Sequence, residues 1–132
     1  MTRSKHVEGK SVIPYGVYPE KHELETVAVF LKRGLDAEFI KPSGTKKSRS
    51  ADVIINGIEW EIKSPTGDSK YTVQNQFKRA ARQSHNLIFD ARRTKLPNDF
   101  VENEVRKQFA LRKSIKRLWL ITKTNRVIDL EK

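Results

Sequence analysis

Asp52, Glu61 and Lys63 lie in one short stretch, Ser50-Ala-Asp-Val-Ile-Ile-Asn-Gly-Ile-Glu-Trp-Glu-Ile-Lys-Ser64. Carboxylates are hard oxygen ligands suited to Mg²⁺ or Mn²⁺, which take one or two of them and fill the remaining positions with water and substrate phosphate. A lysine ammonium beside such a pair can orient a water and offset charge building on phosphoryl oxygens. The chemistry within reach of these three residues is therefore phosphodiester hydrolysis.

A hairpin is the element that must bring them together. Asn56-Gly57 separates two apolar runs, and that dipeptide favours the positive-φ two-residue turn whose twist matches paired strands. Counting outward from it pairs Ile55 with Ile58, Ile54 with Glu59, Val53 with Trp60 and Asp52 with Glu61. The period of two sets Lys63 on the face of Glu61 and sends Ile58, Trp60 and Ile62 into a core. Opposed carboxylates on one sheet face repel unless a cation or a shared proton lies between them. Asp52 and Glu61 are the expected metal ligands, with the Ile62 backbone carbonyl as a further one. The plainer alternative is a half-exposed hairpin on which Lys63 screens Glu61 and Asp52 caps the strand; it leaves the opposition of two acids unexplained.

Composition indicates the partner. Lys and Arg number 27 against 16 Asp and Glu, a net charge of +11 over 132 residues, which points to a polyanion. The length suits one domain. The longest apolar run, Val27 to Leu31, is far too short to span a bilayer, and no apolar segment follows Met1-Thr-Arg-Ser-Lys5, so no membrane anchor is expected. With no cysteine, disulfides and thiolate metal sites are excluded.

Periodicity predicts the remaining elements. Residues 1–18 read as a mobile, basic arm and residues 19–132 as the folded domain. A first helix runs from Pro19-Glu20 to about Arg33, stopped by Gly34, and a short strand covers 37–40. A polar loop with Lys46, Lys47 and Arg49 leads into the hairpin. A second helix from Thr72 to Ser84 buries Val73, Phe77, Ala80 and Ala81, and a strand follows at Leu87–Phe89. A third helix begins at Asp99, with Glu102 completing a capping box, and continues to about Lys113. Strands at 118–122 and 127–130 close the chain. This order predicts an α/β fold, a central mixed β-sheet flanked by helices.

Asp52, eight residues and then Glu61-Ile-Lys63, preceded by a helix with an early glutamate and followed by another helix, resembles the PD-(D/E)xK nuclease superfamily and its restriction-endonuclease-like core. Trp60-Glu-Ile-Lys-Ser-Pro-Thr-Gly67, Gln74-Asn-Gln-Phe77 and Leu87-Ile-Phe-Asp90 narrow the similarity to the C-terminal tRNA-nuclease domains of bacterial contact-dependent growth inhibition toxins of the CdiA type. The resemblance spans about residues 20–130. Ala51 stands where that superfamily has proline, a position that shapes the strand and binds no metal.

The resemblance implies a metal-dependent tRNA nuclease acting in a target cell's cytoplasm after delivery from a secreted parent protein, and a cognate immunity protein of acidic character. A free-standing relative would instead serve a mobile element or a repair system. It also adds a first-helix glutamate to the catalytic set. Glu23 is the choice, because it shares a helix side with Val27 and Phe30, whereas Glu25 lies roughly 160° away; either could instead serve the helix N-terminus. Gln76 sits where related nucleases often place a helical polar residue near the site, and a surface glutamine is the plainer reading. Lys46, Lys47, Arg49, Lys78, Arg79, Arg82, Arg92 and Arg93 are the expected nucleic-acid contacts.

Three other functions compete with this one. A DNA endonuclease would use the same site, and a non-catalytic binding module would explain the charge but not the acids. A metal-independent ribonuclease would need acid-base groups, and His6, His22 and His85 are scattered without an evident partner.

Overall fold

The computed structural model describes residues 7–41 and 51–132. Its elements in chain order are β1 (Ser11–Val12), α1 (Lys21–Leu31), β2 (Ala37–Phe39), β3 (Val53–Ile55), β4 (Ile58–Lys63), α2 (Thr72–Ala80), β5 (Asn86–Asp90), α3 (Asn98–Leu111), β6 (Arg117–Ile121) and β7 (Val127–Glu131). The strands form one mixed sheet whose spatial order equals their chain order. β1 and β2 are parallel, as are β4, β5 and β6, while β2–β3, β3–β4 and β6–β7 pair antiparallel.

The hairpin forms as its turn residues require. Asn56 and Gly57 have φ of 55° and 77°, the left-handed pair a two-residue turn needs, and Ile55–Ile58, Ile54–Glu59 and Val53–Trp60 are partners. Gly34 likewise ends α1, with φ of 87° and its amide on the Leu31 carbonyl.

Alternation along β4 and β5 divides the core in two. Trp60, Ile62 and Ile88 face α1, where Val27 and Phe30 pack with them. Leu87 and Phe89 face α2 and α3, against Val73, Phe77, Val101, Val105 and Phe109. The crossovers β4–α2–β5 and β5–α3–β6 advance the same way along the sheet, so a constant hand lays both helices on one face. On the α1 face Trp119 is sandwiched: its ring centre is 3.8 Å from that of Trp60 and 4.6 Å from that of Phe30.

Two expectations differ from the structure. Within residues 1–18, expected as an arm, Ser11–Val12 pair with Ala37–Glu38 as an edge strand. The Gly9 amide donates to the Leu31 carbonyl, and the close approach needs glycine, since a Cβ there would stand 1.8 Å from the Leu35 oxygen. The capping box expected at Asp99 and Glu102 is absent, because α3 begins earlier, behind Pro97. A box is found instead at α1, between Glu20 and Glu23.

Trp119→Ala, which removes the middle ring of the stack, is expected to cost about 3–5 kcal/mol. Urea unfolding checks it: the midpoint should fall with the slope unchanged.

Candidate active site

The two acids meet, though not by simple cross-strand opposition. The ladder stops at Val53–Trp60, one pair short of the expected register. The Asp52 amide also donates to the Trp60 carbonyl at 2.8 Å, so Asp52 and Val53 both stand against Trp60, two residues against one in the manner of a β-bulge. This turns the Asp52 side chain across the hairpin, where Oδ2 accepts the Ile62 amide at 2.7 Å. Ile62, expected to offer its carbonyl to a metal, is engaged here through its N–H.

Glu61 is only 2% exposed. Its Oε2 lies 3.2 Å from the Lys63 ammonium, while Oε1 is buried with no hydrogen-bond partner among the described residues. Burial, with the adjoining Asp52 carboxyl adding to it, pushes the Glu61 carboxyl up to about 8, and Lys63 only partly opposes them. Two carboxyls side by side require a shared proton or a cation. A divalent ion fits the donor set: an orphaned buried oxygen, a second carboxylate and room for water in the remaining positions. No group of three acidic or histidine side chains stands ready to hold a metal among the described residues, so protein would supply a minority of the ligands.

Lys63, but neither of the two acids, lines a groove of about 450 Å³. Gln76 and Arg79 of α2, Arg93 beyond β5 and His22 of α1 also line it. Arg79 and Asn75 continue from it into a second hollow with Lys78 and Arg82, so the basic face of α2 extends the groove. Of the residues expected to contact nucleic acid, Arg79 and Arg93 line the groove beside Lys63, and Lys78 and Arg82 line the hollow next to it.

Glu23 is differently employed: its Oε1 accepts the Glu20 amide at 2.8 Å, closing the capping box. Glu25 lies outward, 4.0 Å from Lys21. Arg92 is also committed elsewhere. Its Nε and Nη2 bind both oxygens of Asp90 at 2.9 and 2.7 Å, and Nη2 donates to the Glu25 carbonyl at 3.1 Å. It braces β5 against α1 and is not presented to the groove. Lys46, Lys47 and Arg49 lie outside the described residues.

Sequence reasoning missed the acceptor at the centre of that brace. Asp90 is 2% exposed and receives the Thr26 hydroxyl at 2.7 Å. Burial alone would raise its carboxyl, but the Arg92 side-chain bonds, the Thr26 hydroxyl and the Arg92 amide outweigh it and hold the group below the usual range. An acid ending the apolar run Leu87-Ile-Phe89, two residues before an arginine, was the available signal. His22 was missed too: it seemed partnerless in the sequence, yet its Nδ1 lies 3.3 Å from Glu20 Oε2.

Because the Glu61 carboxyl is raised from 4.5 to about 8, the unfolded chain ionises it first, and the fold loses stability as pH rises between those values. Glu61→Gln keeps an acceptor for Lys63 and a donor for Asp52 but cannot ionise. It is expected to match the wild type below pH 4.5 and to exceed it above pH 8 without metal, by on the order of a few kcal/mol. Urea titrations at both pH values check this; equal gains at each would contradict it.

Residues 49–127 match the profile described as the contact-dependent growth inhibition CdiA C-terminal domain. Among solved structures, the fold is similar to the CdiA-CT/CdiI toxin and immunity complex from Burkholderia pseudomallei. That match has a TM-score of 0.64 and covers 94% of this chain and 100% of the other at 11% identity, a likeness of fold. No curated protein is similar enough in sequence to count as a match. With more than half of its length inside the family profile, the chain belongs to the contact-dependent growth inhibition CdiA C-terminal domain family.

Proposed function

We propose that this domain is a metal-dependent endonuclease that hydrolyses phosphodiester bonds of tRNA and acts as an interbacterial toxin. The observation that carries the proposal is Glu61: a buried carboxyl with one oxygen unpartnered among the described residues, between Asp52 and a Lys63 that lines a basic groove. Membership of a growth-inhibition family supports the toxin role. The PD-(D/E)xK assignment is supported by the acid, acid, lysine order on a hairpin within a mixed sheet. The choice of tRNA rests on the resemblance of residues 60–67.

Asp52 and Glu61 would hold Mg²⁺ or Mn²⁺, and the Ile62 carbonyl would be a further ligand. When bound, the ion supplies Lewis-acid polarisation of the scissile phosphate and acidifies a water. Lys63 orients the attacking water and offsets charge on the phosphoryl oxygens. Arg79 and Arg93 hold the substrate backbone in the groove, and Lys78 and Arg82 extend the phosphate track along α2. The domain acts in the cytoplasm of a target cell after delivery from its parent protein. The similar Burkholderia structure is a toxin and immunity complex. By analogy this domain has its own immunity protein, acidic enough to cover the groove. No described helix is long and apolar enough to cross a membrane.

Purified domain with Mg²⁺ is expected to deplete intact tRNA from total cellular RNA, and EDTA to stop it. Glu61→Gln and Lys63→Ala should each lower the rate by at least about 100-fold. Plasmid cleavage without tRNA loss would move the assignment to a DNA endonuclease; binding without cleavage, unchanged in Glu61→Gln, would leave a binding module. A cation must displace the Glu61 proton, so Mg²⁺ affinity should climb with pH and level off above about 8. Calorimetry in buffers of different ionisation enthalpy would record the released proton.

A further inference from the structure

We propose that His22 is the general acid of this nuclease, giving its proton to the leaving oxygen of the scissile phosphodiester. The inference rests on the nuclease assignment above and adds a catalytic group to it.

Two features of the fold point to this residue. The first is where it stands. Glu61 and Lys63 alternate with Trp60 and Ile62 along β4, so they lie on the α2 face of the sheet, whereas α1 packs on the opposite face. His22 comes from the first turn of α1, yet it lines the same groove as Lys63, Gln76, Arg79 and Arg93. A phosphate in that groove meets Lys63 and the α2 side chains from one layer and His22 from the other. In-line displacement at phosphorus requires such a division, with the attacking water on one side and the leaving oxygen on the other.

The second feature is how the ring is held. Its Nδ1 lies 3.3 Å from Glu20 Oε2, which leaves Nε2 as the ring nitrogen for the groove. Glu20 is itself anchored: its carboxylate accepts the Glu23 amide, and its own amide donates to Glu23 Oε1. A carboxylate on one ring nitrogen fixes the orientation of the ring and leaves the other nitrogen to carry the transferable proton. The capping box that occupies Glu23 therefore also orients His22.

The step balances as follows. A water oxygen forms the new bond to phosphorus and releases one proton to solvent. The bond from phosphorus to the leaving oxygen breaks, and that oxygen keeps the electron pair and takes the Nε2 proton, becoming a hydroxyl. The neutral imidazole regains a proton from solvent.

The test replaces the leaving oxygen by sulfur. A thiolate departs without protonation, so an RNA oligonucleotide with a bridging phosphorothiolate, made once with 3′ and once with 5′ sulfur, bypasses the acid. His22→Asn is expected to lower cleavage of the oxygen ester by about 100-fold or more. It should stay within a few-fold of wild type on the sulfur ester at the leaving position. Glu20→Gln, which keeps the cap acceptor, should show a smaller loss with the same rescue. In EDTA, fluorescence anisotropy should show His22→Asn binding the uncleaved oligonucleotide as tightly as wild type. Equal losses on oxygen and sulfur esters, or a binding loss as large as the rate loss, would overturn the assignment while leaving the nuclease intact. A wild-type domain that cleaves neither ester would overturn the nuclease assignment itself.

Discussion

The site depends on a carboxyl group removed from water. Glu61 lies in a central strand, and ionising it there without a counter-charge would cost far more than one hydrogen bond returns. Its surroundings answer that cost only in part. Lys63 reaches one oxygen, Asp52 adds a second acceptor in place of a donor, and the other Glu61 oxygen is left over. A fold selected for stability alone would place an apolar residue here, as at Trp60 and Ile62 on the opposite face. The site is held in tension, and the surrounding elements are arranged to keep it so: the tight turn sets which residues face each other, the bulge swings Asp52 across, and the stacked rings behind the sheet keep β4 from moving away.

Much of this was legible in the sequence, and the reason is local. Asn56-Gly57 leaves a two-residue turn few alternatives, and strict alternation carries that register outward to Trp60. The helices were legible from their apolar stripes, although their ends moved by a few residues. What escaped depended on partners distant in the chain. Thr26 and Asp90 are 64 positions apart, and no local pattern pairs them. Arg92 looked like any arginine after a strand; only the fold shows its guanidinium closed on Asp90 and the Glu25 carbonyl. Glu23 was a fair choice by helix face, but a glutamate three residues past a helix start competes for the first unpaired amide, and here the amide won. Ending the ladder one pair early is a matter of backbone geometry, which side-chain patterning does not record.

The groove is also defined by what stabilises its walls. Arg92 and Asp90 fasten the end of β5 to α1, and Thr94 beyond them donates to the Gly67 carbonyl in the segment that follows β4. Neighbouring residues thereby divide their work: Arg92 holds the scaffold and Arg93 lines the groove. Counting positive charges along the chain cannot separate the two roles. Basic residues count as substrate contacts only after those committed to internal acceptors have been subtracted.

The order of the strands has one more consequence. Each strand lies beside its predecessor in the chain, so no later segment must be inserted between two that have already paired. The β3–β4 hairpin forms with little loss of loop entropy, whereas the parallel pairs β4–β5 and β5–β6 each close over an intervening helix. A chain folding from its N-terminal end could therefore add strands in turn, completing the β3–β4 hairpin and its acids before α3 packs on the sheet.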